Sequence, residues 1–255
     1  MEPFKGTVHG AATLEFKYLQ EGRDSISGIR ISEPHILQLG DNFSIYYNYY
    51  YYHSDSIIYS WSGLNRTFSD YCKTRQHFHV TLQERILRTF EPEMQIKVRD
   101  RVFMDQYYYV EPQPHMQWQL SKEKKMIGSH ECRKATLDFA GRNWTAWYDP
   151  SIPTPVGPWK FYGLPGAIIS IADSTGSHSF TLTEIRKPGR PVLESYSNPF
   201  RIKRKRLQML KEKWELDKAS MMGNGPAAPR NLDGTLKEIK RKSRKDVYIN
   251  PIHLD

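Results

Sequence analysis

The chain has 255 residues, 38% of them hydrophobic and 25% charged, with a formal net charge of +9. That length buries roughly 70–75% of the unfolded surface in one large domain, or in one domain with an appendage, without help from a disulfide or a metal. No stretch approaches the ~20 apolar residues of a membrane-spanning helix, and two cysteines, Cys72 and Cys132, are too few for a disulfide scaffold.

The charge is uneven. Residues 201–255 carry 15 Lys/Arg against 7 Asp/Glu, which leaves +8 there and +1 for residues 1–200. A nearly neutral body is not expected to bind nucleic acid. Met1-Glu2-Pro3-Phe4-Lys5 lacks the basic start and apolar core of a secretion signal. The chain is therefore expected to stay in the cytoplasm or to have its signal removed or lying upstream.

In chain order, Ser44 to Tyr47 and Ile57 to Trp61 read as strands, being β-branched or aromatic. Val80 to Phe90 has a partial helical stripe. Gln95 to Phe103 alternates with period two, setting Ile96, Val98 and Val102 against Lys97, Arg99 and Arg101, with Asp100 as the interruption. Tyr107 to Val110, Met116 to Leu120, Cys132 to Phe139 and Asn143 to Tyr148 continue the series, the last two joined in a hairpin by Phe139-Ala140-Gly141-Arg142. Ala167 to Ala172 and Ser179 to Ile185 flank a turn at Asp173-Ser174-Thr175-Gly176. The spacing predicts a mainly β chain built on an antiparallel sheet over residues 1–200. Residues 201–255 are expected to form a basic helical extension ending in an Asn-Pro-Ile segment. Leu207, Leu210, Trp214 and Met221 recur at helical spacing within Arg204 to Met222. A loop over Gly223 to Pro229 and a weaker helix over Leu236 to Lys245 follow.

Pro165-Gly166 suits a type II turn, with Pro setting φ at the second position and Gly supplying a positive φ at the third. This corner links Trp159-Lys160-Phe161-Tyr162 to the apolar strand beyond.

Around it stand Cys132-Arg133-Lys134-Ala135, Gly141-Arg142-Asn143-Trp144-Thr145-Ala146-Trp147-Tyr148, Ile152-Pro153, Gly157-Pro158-Trp159-Lys160-Phe161 and Gly163-Leu164-Pro165-Gly166-Ala167-Ile168. In these motifs, over Gln117 to Ile185, the chain resembles the GLPGLI family of bacterial envelope proteins of undetermined activity. Ala167 stands where the family motif has leucine. Leu39-Gly40-Asp41-Asn42-Phe43-Ser44 and Asn250-Pro251-Ile252 are weaker echoes. The resemblance implies an exported protein of the periplasm or outer membrane, folded as a curved antiparallel sheet like the half barrel of lipoprotein carriers, with outer-membrane or other envelope components as partners. It supplies no catalytic residues and no cofactor.

The residues themselves carry little chemistry. There is no Gly-x-Ser-x-Gly, His-Glu-x-x-His or phosphate loop. Asp173 lacks the spacing and the second copy of an aspartic-protease motif. His130 and Cys132 share a strand face, yet no orienting group or oxyanion site accompanies them. The chain is expected to be no enzyme. Cys72, His77 and His79 form the metal candidate for zinc or copper, with His53 and His115 as further donors. Tyr47, Tyr49, Tyr51, Tyr107 and Tyr109, from the runs at 46–52 and 107–109, are the candidates for an apolar or peptide-like ligand on the sheet. Arg201-Ile202-Lys203-Arg204-Lys205-Arg206 opens the basic helix, whose apolar stripe fits docking on the protein's own sheet, or peripheral membrane contact through residues 201–222.

Overall fold

The computed structural model describes residues 6–23, 30–60, 83–103, 105–188, 191–195 and 199–218, with the single positions 67, 70, 73 and 235. The strands run β1 (Gly6–Ala11), β2 (Leu14–Arg23), β3 (Arg30–Leu39), β4 (Phe43–Asn48), β5 (Arg85–Thr89), β6 (Gln95–Val102), β7 (Asp105–Pro112), β8 (Gln119–Ile127), β9 (His130–Phe139), β10 (Arg142–Asp149), β11 (Ala167–Asp173), β12 (His178–Arg186), β13 (Pro191–Ser195) and β14 (Phe200–Arg201). Helix α1 (Tyr49–Ser60) follows β4 and α2 (Arg204–Leu216) follows β14.

Twelve strands form one sheet in the order β14-β7-β6-β5-β4-β3-β2-β12-β11-β10-β9-β8. It is two antiparallel meanders, β2 to β7 and β8 to β12, joined where β12 pairs with β2; only β14 lies parallel to its neighbour. The hairpin at Phe139–Arg142 forms as expected, with Ala140 at φ 55° and Gly141 at φ 71°. Positive φ at both central residues is the I′ geometry that matches strand twist.

The sheet has to curl. Strands β7 and β8 stand ten strand spacings apart in the order, yet residues 113–118 alone connect them. Seven Cα steps span at most about 25 Å, whereas ten spacings in a flat sheet cover about 48 Å. The two ends are therefore drawn towards each other, and no described strand pairs β7 with β8 to close a barrel.

Over β3 to β5 both faces of the sheet are covered, whereas β8 is largely exposed. On the inner face one core joins the two meanders: Phe16, Tyr18, Leu37, Tyr46, Ile86 and Val98 from one, Leu137, Trp144, Ile171 and Phe180 from the other. Helix α2 lies on this side, with Leu207 buried and Trp214 stacked on Phe103 at 4.7 Å. On the outer face Phe43, Ile45, Tyr47 and Leu87 pack under the β1–β13 ribbon and α1. Leu207, Leu210 and Trp214 thus dock on the protein's own sheet, and β14 adds residues 200 and 201 to its edge.

Several expectations change. Val80 to Phe90 is no helix where described: residues 85–89 are β5. Its apolar run lacks alternation because Ile86 and Leu87 are buried on opposite faces of a two-sided sheet. Residues 49–60, expected to hold tyrosines on a strand and then a strand from Ile57, are α1. Asn48 makes the switch, accepting the Tyr50 amide at 2.9 Å as a helix N-cap. Met116 to Trp118 belong to the connection rather than to β8.

The Pro165-Gly166 corner is not a type II turn. Gly166 has no positive φ; Gly163 does, at 98°. Gly166 is needed for closeness instead, since a Cβ there would meet the Asp149 carbonyl oxygen at 2.2 Å.

Candidate functional site

Residues 150–166 leave β10 and fill the inner face before returning as β11. Trp159, Lys160 and Phe161 are fully buried there. Phe161 meets Trp144 edge-on at 4.8 Å and lies 6.3 Å from Phe180; Trp159 lies 5.6 Å from Phe139. Aromatic edges on aromatic faces favour this geometry. The segment is a plug, and the inner face of the sheet is occupied by the chain itself.

Polar contacts fasten the plug to the other meander. Trp159 Nε1 donates to Glu84 at 3.0 Å. Arg88, on β5, donates to the Lys160 carbonyl at 3.2 Å, to Ser44 Oγ at 3.0 Å and to Gln113 Oε1 at 2.7 Å. Burial without a carboxylate pulls Arg88 down to about 10, so these neutral acceptors hold its charge. The connection joins in through Trp118 Nε1, which donates to the Tyr162 carbonyl at 2.9 Å.

Around the plug lies an ionic group. Lys160 Nζ donates to Glu111 at 2.8 Å and to the Tyr109 hydroxyl at 3.1 Å. Burial, then the carboxylates of Glu84 and Glu111, pushes the Tyr109 phenol far above its ordinary value, so it stays neutral. Burial and then repulsion from Asp100 raise the Glu84 carboxyl, against the pull of Lys211, Lys160 and the Trp159 N–H. Asp100, the interruption in the β6 alternation, faces inward and takes Lys211 of α2 at 2.6 Å. The pairing explains why α2 carries a lysine on its inward side.

Where this group meets the surface, Tyr109, Val110, Glu111, Arg201, Ile202, Lys203 and Arg204 line a depression of about 480 Å³. Arg204 stands 3.7 Å from Glu111. Its lining combines apolar groups, three cations and the one carboxylate of Glu111.

The five candidate tyrosines do not converge. Tyr109 lines the depression, and Tyr107 shares its strand face. Tyr47 is buried on the outer face, donating to Gln38 at 3.0 Å. Tyr49 and Tyr51 lie on α1 against that outer core, Lys17 over one ring at 4.6 Å and Arg85 over the other at 4.9 Å. Cys72, His77 and His79 lie outside the described residues; His53 and His115 are exposed. Among the described residues no group of three His, Cys, Asp or Glu side chains suits a metal.

His130 and Cys132 form no nucleophile pair. His130 Nδ1 meets Asp149 at 2.8 Å, while the thiol points back to the His130 carbonyl at 3.6 Å. Burial, then the Asp149 charge, pushes the Cys132 thiol up to about 11.

Sequence reasoning passed over Glu84, Arg88, Glu111 and Lys160. Lysine and arginine read as solvent-facing in one dimension, and only the plug's position makes them interior. Also missed was a buried polar patch further along the inner face, where His35 stacks on Tyr46 at 5.1 Å with Glu33 3.9 Å from its Nε2, and where neither His35 nitrogen nor the Tyr46 hydroxyl has a hydrogen bond among the described residues.

No protein-family model matches the chain, and no curated protein sequence matches it. Two structures of PNGF-II, from the P21 and C2 space groups, are similar in fold, with TM-scores of 0.53 and 0.51. Identity is 11% over 79% of this chain, which spans 33% of the PNGF-II chain. At that identity the likeness concerns the fold alone.

Proposed function

We propose that this protein is a non-enzymatic binding protein of the bacterial envelope, similar to the GLPGLI family, whose ligand sits at the mouth of the curved sheet. The depression beside Tyr109 carries the reading. Tyr109 and Ile202 offer apolar surface, and Arg201, Lys203 and Arg204 offer positive charge beside one carboxylate, Glu111, which Lys160 and Arg204 offset. Such a site fits a ligand with an apolar body and an anionic end, a single-chain carboxylate or the C-terminus of an apolar peptide. Binding is favoured over catalysis because the inner carboxylates are engaged: Glu84 by Trp159, Asp100 by Lys211 and Glu111 by Lys160. The buried Cys132 thiol, held protonated, offers no nucleophile at neutral pH.

Calorimetric titration with dodecanoate, kept below its micelle concentration, tests this. Saturable one-site binding is expected, with at least tenfold weaker binding in Arg204→Glu and none of an equal-length alkyltrimethylammonium. Equal binding of both amphiphiles, or none of dodecanoate, contradicts it.

A further inference from the structure

Helix α2 has a second face that the sheet leaves uncovered. Its inward side is used up by Leu207, Leu210, Lys211 and Trp214. At 100° per residue the opposite side carries Lys205, Met209, Glu212 and Leu216, flanked by Arg206 and Lys213. Lys205, Arg206 and Lys213 are exposed, and each lacks an ion-pair partner among the described residues. Arg204, Lys211 and Lys218, by contrast, pair with Glu111, Asp100 and Glu215.

Exposed apolar side chains occur in the same segment. Met209 is 58% exposed on α2, and Phe200 is 60% exposed on β14, one strand residue and two linking residues before the helix. The Phe200 ring lies tilted against Tyr107, centroids 5.9 Å apart, and remains largely exposed. The docking of α2 holds this arrangement in place, and residues 1–200 carry only +1 of the chain's +9 charge.

We propose that the outer side of α2, with Phe200, docks on an anionic phospholipid surface. Three cations against the one carboxylate of Glu212, with protruding apolar groups, match a layer of negative headgroups over acyl chains, where Lys205, Arg206 and Lys213 meet phosphates and Met209 and Phe200 enter the apolar boundary. A nucleic acid would use the cations but would leave Met209 in water. The surface adjoins the depression beside Tyr109 but shares no lining residue with it, and its proposed occupant stands whether or not that depression binds an amphiphile.

Co-sedimentation of the full chain with phosphatidylcholine vesicles, with and without phosphatidylglycerol, tests the assignment. Binding is expected only to the anionic vesicles and falls as salt rises. Each cation near such a surface contributes about fivefold in partitioning, so Lys205→Glu with Arg206→Glu and Lys213→Glu should abolish sedimentation. Phe200→Ser with Met209→Ser should weaken it several-fold while leaving the circular dichroism spectrum unchanged, since both residues are exposed. Equal sedimentation with neutral vesicles, indifference to either variant, or tighter binding of a single-stranded oligonucleotide at the same salt would overturn the proposal.

Discussion

Gly166 and Asp149 approach so closely that a Cβ on Gly166 would lie 2.2 Å from the Asp149 carbonyl oxygen and 2.7 Å from its carbonyl carbon. This contact closes the plug where it turns back into β11. Main chain cannot retreat as a flexible side chain does. Gly166→Ala should cost about 3 kcal/mol, the upper range for overpacking. Gly163→Ala, at φ 98° with Trp118 no nearer than 3.9 Å, should cost only about 1–2 kcal/mol from backbone strain. Urea unfolding of both variants gives the order; the reverse order would mean that conformation, not closeness, sets the corner.

Trp159→Phe keeps an aromatic ring in the plug but removes the N–H that Glu84 accepts at 3.0 Å. Leaving that buried acceptor unpaired should cost about 1–3 kcal/mol. Trp159→Ala also opens a cavity and should cost about 3–5 kcal/mol. Near-equal losses in chemical denaturation would show that packing contributes little here.

Acid stability should depend on Glu194. Burial alone would raise its carboxyl, but His9 at 2.9 Å and Arg99 at 2.7 Å outweigh it and hold the group at about 2. A depressed folded value contributes stability that is complete above the ordinary 4.5 and disappears as pH falls towards about 2. The loss is on the order of 3 kcal/mol for the wild type. Glu84 acts with opposite sign: its raised value costs nothing at low pH and works against the fold as pH rises through it. Thermal melts between pH 2 and 5 should flatten in Glu194→Gln; an unchanged slope would place acid sensitivity elsewhere.

Cys132 should be inert in the native protein. With Cys72→Ser removing the other thiol, iodoacetamide at neutral pH should label Cys132 only after denaturation, as expected for a buried thiol pushed up to about 11. Rapid labelling of the folded chain would contradict its burial.

Much of the sheet was legible because local chemistry agrees with its position. Ala140-Gly141 closes its hairpin with both residues at positive φ, and Ile96, Val98 and Val102 face inward as their alternation says. Less legible were segments decided by distant partners. The tyrosines at 49–52 have strand propensity, yet the Asn48 cap and the outer core make them helical. The plug was readable as an extended arrival at a corner, but its destination depends on Arg88, Glu84 and Glu111 across the sheet. Of the expected ligand residues, Tyr109 stands at the candidate site because β7 borders the mouth, and Tyr47 does not because its face is closed by α1.

The central claim is that the inner face is filled by the plug and that ligand binds only at its mouth. A two-dimensional 1H–15N NMR titration with dodecanoate tests this most directly. Saturable shifts should be confined to the amides of Tyr109, Val110, Glu111 and residues 201–204, while the Trp159 indole N–H, held by Glu84, keeps its position. Shifts centred on Trp159 and Phe161, or no saturable shift at the mouth, would contradict the account.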